Sequence, residues 1–213
     1  MATIKRPILP SSFFQCDPLI CARELVGTEL VWGKCSGIVV ETEAYLTLND
    51  EACHTFTRPS TRAFVERNAA GTVYIYMNYG VHWMLNVLVK GARSGLILIR
   101  ALEPRRGLSI MRARRGVEDV HSLCSGPGKL AQALDITKRH HEMNLCAQTR
   151  CCFKQAGMDT LVVADPRIGI SRARDFPWRF TLARSPFVSV PVRPPNALKP
   201  LTTRRRARTF PAP

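Results

Sequence analysis

The order of apolar and polar positions divides the chain into short, recognisable elements. Leu19, Ala22 and Leu25 recur at helical spacing between Asp17-Pro18 and Gly27. That predicts a helix with Asp17 as N-cap, Pro18 in the first turn and Gly27 as its stop. Residues 29–32 read as a short strand. Residues 37–46 alternate with a period of two, Val39, Glu41, Glu43 and Tyr45 on one face and Ile38, Val40, Thr42 and Ala44 on the other. Residues 49–70 are polar and predict a loop with a short helix. Strands at 72–79 and 81–89 meet at Gly80, which predicts a hairpin or sharp bend displaying Tyr79. Residues 95–102 form a further strand, apolar except for Arg100. Residues 104–115 read as a basic helix, and Ser125-Gly126-Pro127 as a loop feeding a helix through Leu130 and Leu134. Short strands are expected at 161–163, 168–170, 179–182 and 188–190. The order is mixed, without regular β-α-β alternation, so the expected class is α+β rather than a doubly wound sheet.

Composition adds a domain plan and a partner. The 213 residues suit one large domain, expected over residues 1–190. Beyond it, six prolines and the run Arg204-Arg205-Arg206-Ala207-Arg208 predict a disordered basic tail over 191–213. Thirty-one Lys and Arg against sixteen Asp and Glu leave +15, a surplus that predicts a polyanionic partner, nucleic acid before membrane. The N-terminus carries no signal-peptide core and no apolar run reaches membrane-spanning length. An intracellular protein is expected, in bacterial cytoplasm or nucleoid rather than a nucleus. None of the eight cysteines forms a C-x-x-C pair, so no metal is expected.

Four features carry candidate chemistry. Glu41 and Glu43 share a face of an otherwise apolar strand, where two carboxylates are expensive to bury. Either they pair with arginines or sit at a wet strand end, or one is a general base in a cleft; spacing alone does not choose between them. Arg100 interrupts a strand that should be buried and needs a partner, Glu41, Glu43 or Glu103. Tyr74 and Tyr76 point to one side of their strand, as core packing or a stacking surface, and Tyr79 at the bend suits stacking on or wedging between bases. In Cys124-Ser125-Gly126-Pro127-Gly128-Lys129, small residues at a helix start with an added lysine fit a backbone phosphate, although a capped helix start explains them equally.

Together the segments IVVETEAYL, DEACH, GTVYIYMNYGVHWMLNV, LILIRALEP, LCSGPGKLAQAL and RIGISRARDFPWRF resemble the alkyladenine (3-methyladenine) DNA glycosylases of the mammalian-type fold. The likeness runs from about Phe13 to about Val190. It implies a single mixed domain around a curved antiparallel sheet with a protruding hairpin. It also implies hydrolysis of the N-glycosidic bond of damaged purines in duplex DNA, by a monomer, without metal or organic cofactor. Matched residue by residue, Glu43 is similar to the family's general base and Arg100 to the arginine that helps hold the attacking water. The carbonyl of Ile168 would be that water's third contact. Tyr45, His54 and Tyr76 match the groups enclosing the extruded base, Asn86 the side chain that crowds guanine's amine, and Tyr79 the wedge. Ser125, Gly126 and Lys129 are the phosphate candidates, with Arg105, Arg106, Arg112, Arg114 and Arg115 as further phosphate contacts. The segment 57–68 departs from the family's wording, and the tail has no counterpart. The rivals are a non-catalytic nucleic-acid binder, against which Glu43 with Arg100 speaks, and a metal-dependent nuclease, which needs a carboxylate cluster not found here.

Overall fold

The computed structural model describes residues 6–155 and 160–192. Among these, eight strands form one open, curled antiparallel sheet: β1 (Glu29–Trp32), β2 (Cys35–Leu46), β3 (Val73–Asn78), β4 (His82–Lys90), β5 (Ser94–Arg106), β6 (Cys151–Lys154), β7 (Val162–Asp165) and β8 (Arg179–Leu182). The main path runs β3-β4-β5-β2-β1-β6, while β8 pairs with both β2 and β7. Around the sheet lie α1 (Pro18–Leu25), α2 (His54–Thr57), α3 (Pro59–Arg67), α4 (Leu108–Arg115), α5 (Val120–Leu123) and α6 (Pro127–Leu134). This is the single mixed α+β domain expected from the element order. No helix among the described residues is long and apolar enough to cross a membrane.

α1 forms where its capping signals place it. Asp17 Oδ1 accepts from the Leu19 N–H at 2.9 Å, and Pro18 opens the first turn. Its buried face of Cys21, Ala22 and Leu25 joins the main core, and Thr42 of β2 donates to the Ala22 carbonyl at 2.8 Å. Burying a side chain such as Leu25 contributes about 1.5–3 kcal/mol. A second, smaller cluster gathers Cys53, Phe64, Tyr74, Leu88 and Leu96 beneath α3.

β2 is the spine of the sheet. Its residues 36–46 pair with β5, and Glu41 to Glu43 pair with β8 on the other side. The simple register slips at the start of the ladder, where Arg105 is passed over between Ser36↔Arg106 and Gly37↔Pro104, and again at its centre. The β2–β5 register passes from Val39↔Leu102 to Glu41↔Ala101 and then to Thr42↔Ile99, so Val40 and Arg100 each lack an opposed partner. Paired irregularities of this kind bend strands and re-aim side chains.

Several expectations change. Residues 49–70 hold two helices, with only Thr55, Thr61 and Phe64 buried within them, too sparse an apolar stripe to read. Residues 104–106 continue β5 instead of opening a helix, because the start of β2 needs a ladder partner; the chain turns at Gly107 (φ 79) and α4 begins at Leu108. Residues 168–170 are a bend, made possible by Gly169 at φ 72. Residues 188–190 form no strand, since their backbone groups bond to side chains of Glu41 and Arg179. β6 and α5 arise where no element was expected. The expected tail lies outside the described residues from 193 onward.

The β3–β4 hairpin turns through Tyr79 (φ 50) and Gly80 (φ 70), with the Val81 N–H donating to the Asn78 carbonyl at 3.1 Å. Two successive positive φ values match the twist of a tight hairpin. Glycine takes this conformation freely, whereas a tyrosine there is strained. Tyr79 is 84% exposed, with Val81 beside it at 69%.

Candidate active site

Below this hairpin lies a cleft of about 280 Å³. Tyr45, His54, Tyr74, Tyr76, Asn86, Leu96, Leu98 and Arg100 line it, with Asn78 and Tyr79 at the hairpin, Pro127 from α6, and Ile168, Gly169 and Ile170 from the bend after β7. Strand register explains why they converge. Glu43↔Leu98, Asn86↔Leu98, Tyr74↔Asn86 and Tyr45↔Leu96 are cross-strand pairs, so one face of β2, β5, β4 and β3 forms a continuous wall.

The wall is aromatic. His54 and Tyr76 meet edge to face at 4.2 Å, and Tyr74 packs 5.7 Å from Tyr76. Tyr74 Oη contacts His54 Nδ1 (3.2 Å) and Thr61 Oγ1 (2.9 Å), which anchors α2 and α3 to the sheet. Burial, aided by the nearby Arg58 charge, lowers His54 to about 4, so its ring is neutral at neutral pH. Burial, then Tyr74, pushes Tyr76 up to about 12. Tyr45 rises well above its ordinary value through burial first and Glu43 second, which keeps its hydroxyl a donor. Each of two tyrosine walls also carries an arginine: Arg167 sits 4.6 Å from the Tyr45 ring centre and Arg58 5.8 Å from that of Tyr76.

Behind the wall lies a buried ionic cluster. Glu41 and Glu43 are both 0% exposed, so neither is at a wet strand end. Glu43 Oε1 accepts from the Ile168 N–H at 2.8 Å, and its Oε2 accepts from Tyr45 Oη at 2.7 Å and from Arg100 Nη1 at 3.2 Å. Glu43 is therefore reached from the cleft through residues that line it. Glu41 Oε1 accepts from Arg100 Nε (3.1 Å), Arg179 Nε (2.7 Å) and Ser189 Oγ (2.8 Å), and its Oε2 from the Ser189 N–H (2.6 Å). Arg179 Nη1 continues to Asp165 Oδ2 at 3.0 Å. Burial works against the charge of Arg100, but Glu43 and then Glu41 outweigh it and raise its pKa. Three carboxylates thus face two guanidiniums, an arrangement able to favour positive charge appearing in the cleft. Alongside, Arg167 grips Asp50 with two bonds, 2.7 and 2.8 Å, and braces the Tyr45 ring.

The structure brings Tyr45, His54, Tyr76, Tyr79, Asn86, Arg100 and Ile168 to one cleft, with Glu43 directly behind it. Ile168 meets Glu43 through its N–H. Asn86 Nδ2 donates to the Tyr74 carbonyl at 3.2 Å, fixing its amide at the wall. Ser125, Gly126 and Lys129 stand at the α6 end beside Pro127; Lys129 Nζ donates to Ser125 Oγ at 3.4 Å. The arginines of 105–115 lie apart from the cleft, and those of α4 hold local partners: Arg112 the Glu118 carbonyl, Arg114 the Ala133 carbonyl and Arg115 the Gln132 side chain. Sequence reasoning missed Arg179, Asp165, Arg167, Asp50 and Ser189. Arg179 was findable, since it opens the short strand Arg179–Leu182 next to the apolar Trp178 and Phe180. Ser189 carries no local signal.

Comparison with known proteins agrees in extent with this domain. The family described as methylpurine-DNA glycosylase matches residues 12–186. A protein of Rhodopseudomonas palustris, named provisionally as a 3-methyladenine DNA glycosylase, is 44% identical over 186 residues, covering 87% of this chain and 89% of its own. Similarly named proteins of Nitrosospira multiformis and Agrobacterium fabrum are each 44% identical, covering 88% and 86% of this chain and 96% and 93% of theirs.

Proposed function

Because the chain belongs to the methylpurine-DNA glycosylase family, we propose that it is a monofunctional DNA glycosylase that hydrolyses the bond between deoxyribose and an alkylated or deaminated purine in duplex DNA. The observation that carries this reading is the Arg100 fork: one guanidinium lines an aromatic cleft and grips Glu43 directly behind it. A base inside a duplex must leave the stack to be reached. Tyr79, exposed on a strained turn at the cleft, is the side chain to fill the vacated space from the minor groove. The purine enters between Tyr45, His54 and Tyr76, and Asn86 stands at the wall to crowd a guanine amine.

Glu43 is the general base. It takes a proton from water as the water oxygen bonds to the anomeric carbon; the glycosidic bond breaks and its electron pair leaves with the purine. Arg100 and the Ile168 backbone hold the carboxylate and the water in place. The excess of buried carboxylates favours the positive charge that builds on the sugar. Ser125, Gly126 and Lys129 hold a DNA phosphate at the start of α6. The catalytic unit spans residues 1–190, and the basic segment 191–213 adds sequence-independent affinity for DNA. One wedge serves one lesion, so the working form is a monomer in the bacterial cytoplasm.

The test is release of free base from duplexes carrying 3-methyladenine, 7-methylguanine, hypoxanthine or ethenoadenine, with chelator present. Glu43→Gln should bind these duplexes as the parent does and lose about 10²–10⁴-fold in single-turnover excision. Excision by that variant at the parent rate removes Glu43 from its role. Borohydride should trap no covalent adduct, since no lysine among the described residues lines the cleft.

A further inference from the structure

After β8 the chain continues straight into the buried cluster. Phe187 stacks on His121 of α5 at 4.6 Å, and the Val190 carbonyl accepts from Arg179 Nη2. Between these anchors Ser189 makes three contacts. Its N–H and Oγ–H donate to the two oxygens of Glu41 at 2.6 and 2.8 Å, and its Oγ accepts from Arg100 Nη2 at 3.3 Å.

We propose that Ser189 is a positioning residue for the hydrolysis: its hydroxyl locks Arg100 between Glu41 and Glu43, so the segment after β8 completes the catalytic network. This rests on the glycosylase reading above. The fork of Arg100 has three prongs, and each has one acceptor: Glu41 for Nε, Glu43 for Nη1, Ser189 for Nη2. With all three engaged, the guanidinium has one orientation. Glu43 then receives a single N–H from Arg100 and retains acceptor capacity for a water. Without the Ser189 hydroxyl, Nη2 is left in a poorly hydrated site with no acceptor, and the nearest alternative is a bidentate grip on Glu43. That grip would occupy the lone pairs the water needs. Glu41, which receives four donors, serves as the fixed post of this arrangement rather than as a second base.

Ser189 is only half-buried, so its replacement should spare the fold. Ser189→Ala should bind a lesion duplex with the parent Kd and remain folded at the assay temperature, while single-turnover excision slows about tenfold, the size of a lost bond to a charged group. Ser189→Thr, which keeps the hydroxyl, should restore the rate. In ¹⁵N-resolved NMR, the Arg100 Nη signals, identified by their loss in Arg100→Lys, should be distinct in the parent and merge through faster rotation in Ser189→Ala. Parent-rate excision by Ser189→Ala, a loss that tracks Kd or unfolding at the assay temperature, failure of Ser189→Thr to rescue, or unchanged Arg100 signals each overturns the assignment. Glu43→Gln in the same assay separates the two readings. An active Glu43→Gln removes the general-base reading itself, whereas an inactive Glu43→Gln beside a normal Ser189→Ala removes the latch alone.

Discussion

Two arginine-rich regions of this protein look alike as composition and behave oppositely as structure. Arg100, Arg167 and Arg179 are 8%, 5% and 1% exposed, and each binds at least one buried carboxylate. Arg112, Arg114 and Arg115 ride on α4, where their bonds reach mainly to carbonyls and a glutamine near the surface. The first set is held in place by desolvation. A guanidinium moved out of position there leaves a carboxylate unpaired in a low dielectric. The second set is screened and replaceable. A surplus of +15 therefore describes the long-range field of the molecule, while the arginines that shape its chemistry are those whose charge is already cancelled.

The largest expected effect tests that division directly. Arg179→Met strips a donor from both Glu41 and Asp165 and should destabilise the protein by about 3–5 kcal/mol in urea unfolding. Arg112→Met, at an exposed ion pair with Glu118, should cost no more than about 1 kcal/mol. Equal losses would abolish the distinction. A smaller effect sharpens it on the DNA side. Lys129→Ala, beside the cleft, should make the log–log salt dependence of duplex binding shallower by about 0.9, the share of one phosphate. Arg112→Ala, its charge already met by Glu118, should change that slope less; the reverse order would move the phosphate contacts to α4.

The last effect concerns His54 and is confined to acid. The unfolded imidazole protonates near 6.5, the folded one only near 4. Between these values the unfolded chain binds more protons, so stability falls as pH drops from about 6.5 and the penalty is complete below about 4. Neutral-pH stability is untouched. His54→Gln should show a shallower loss of melting temperature across that window than the parent. Superimposable curves would mean that the imidazole is not held neutral.

Much of the candidate site was legible because its anomalies are local. An arginine directly after Leu96-Ile97-Leu98-Ile99 and two glutamates on an apolar strand announce buried pairing, whatever the fold. Tyr79 beside Gly80 announces a turn. Ile168 and Ile170 alternate as strand residues do, and only the bond from the Ile168 N–H to Glu43 explains why residues 168–170 bend instead. The pairing of 104–106 with the beginning of β2 is invisible along the chain, so the sequence alone does not place the start of α4 at Leu108. Ser189 is an ordinary serine until it lies against Glu41, 148 residues away.

By itself the amino-acid order determined the strand and helix periods, the cap of α1, the hairpin at Tyr79 and the need for partners at Glu41, Glu43 and Arg100. These follow from short-range sterics and from the expense of burying a charge, which act within a few residues. Only the tertiary structure decided which carboxylate faces the cleft, which arginine meets it, and that a segment from the far end of the chain closes the cluster. Hydrogen bonds have a reach of about 3 Å, and residues so far apart in sequence come within it only when the whole sheet has curled.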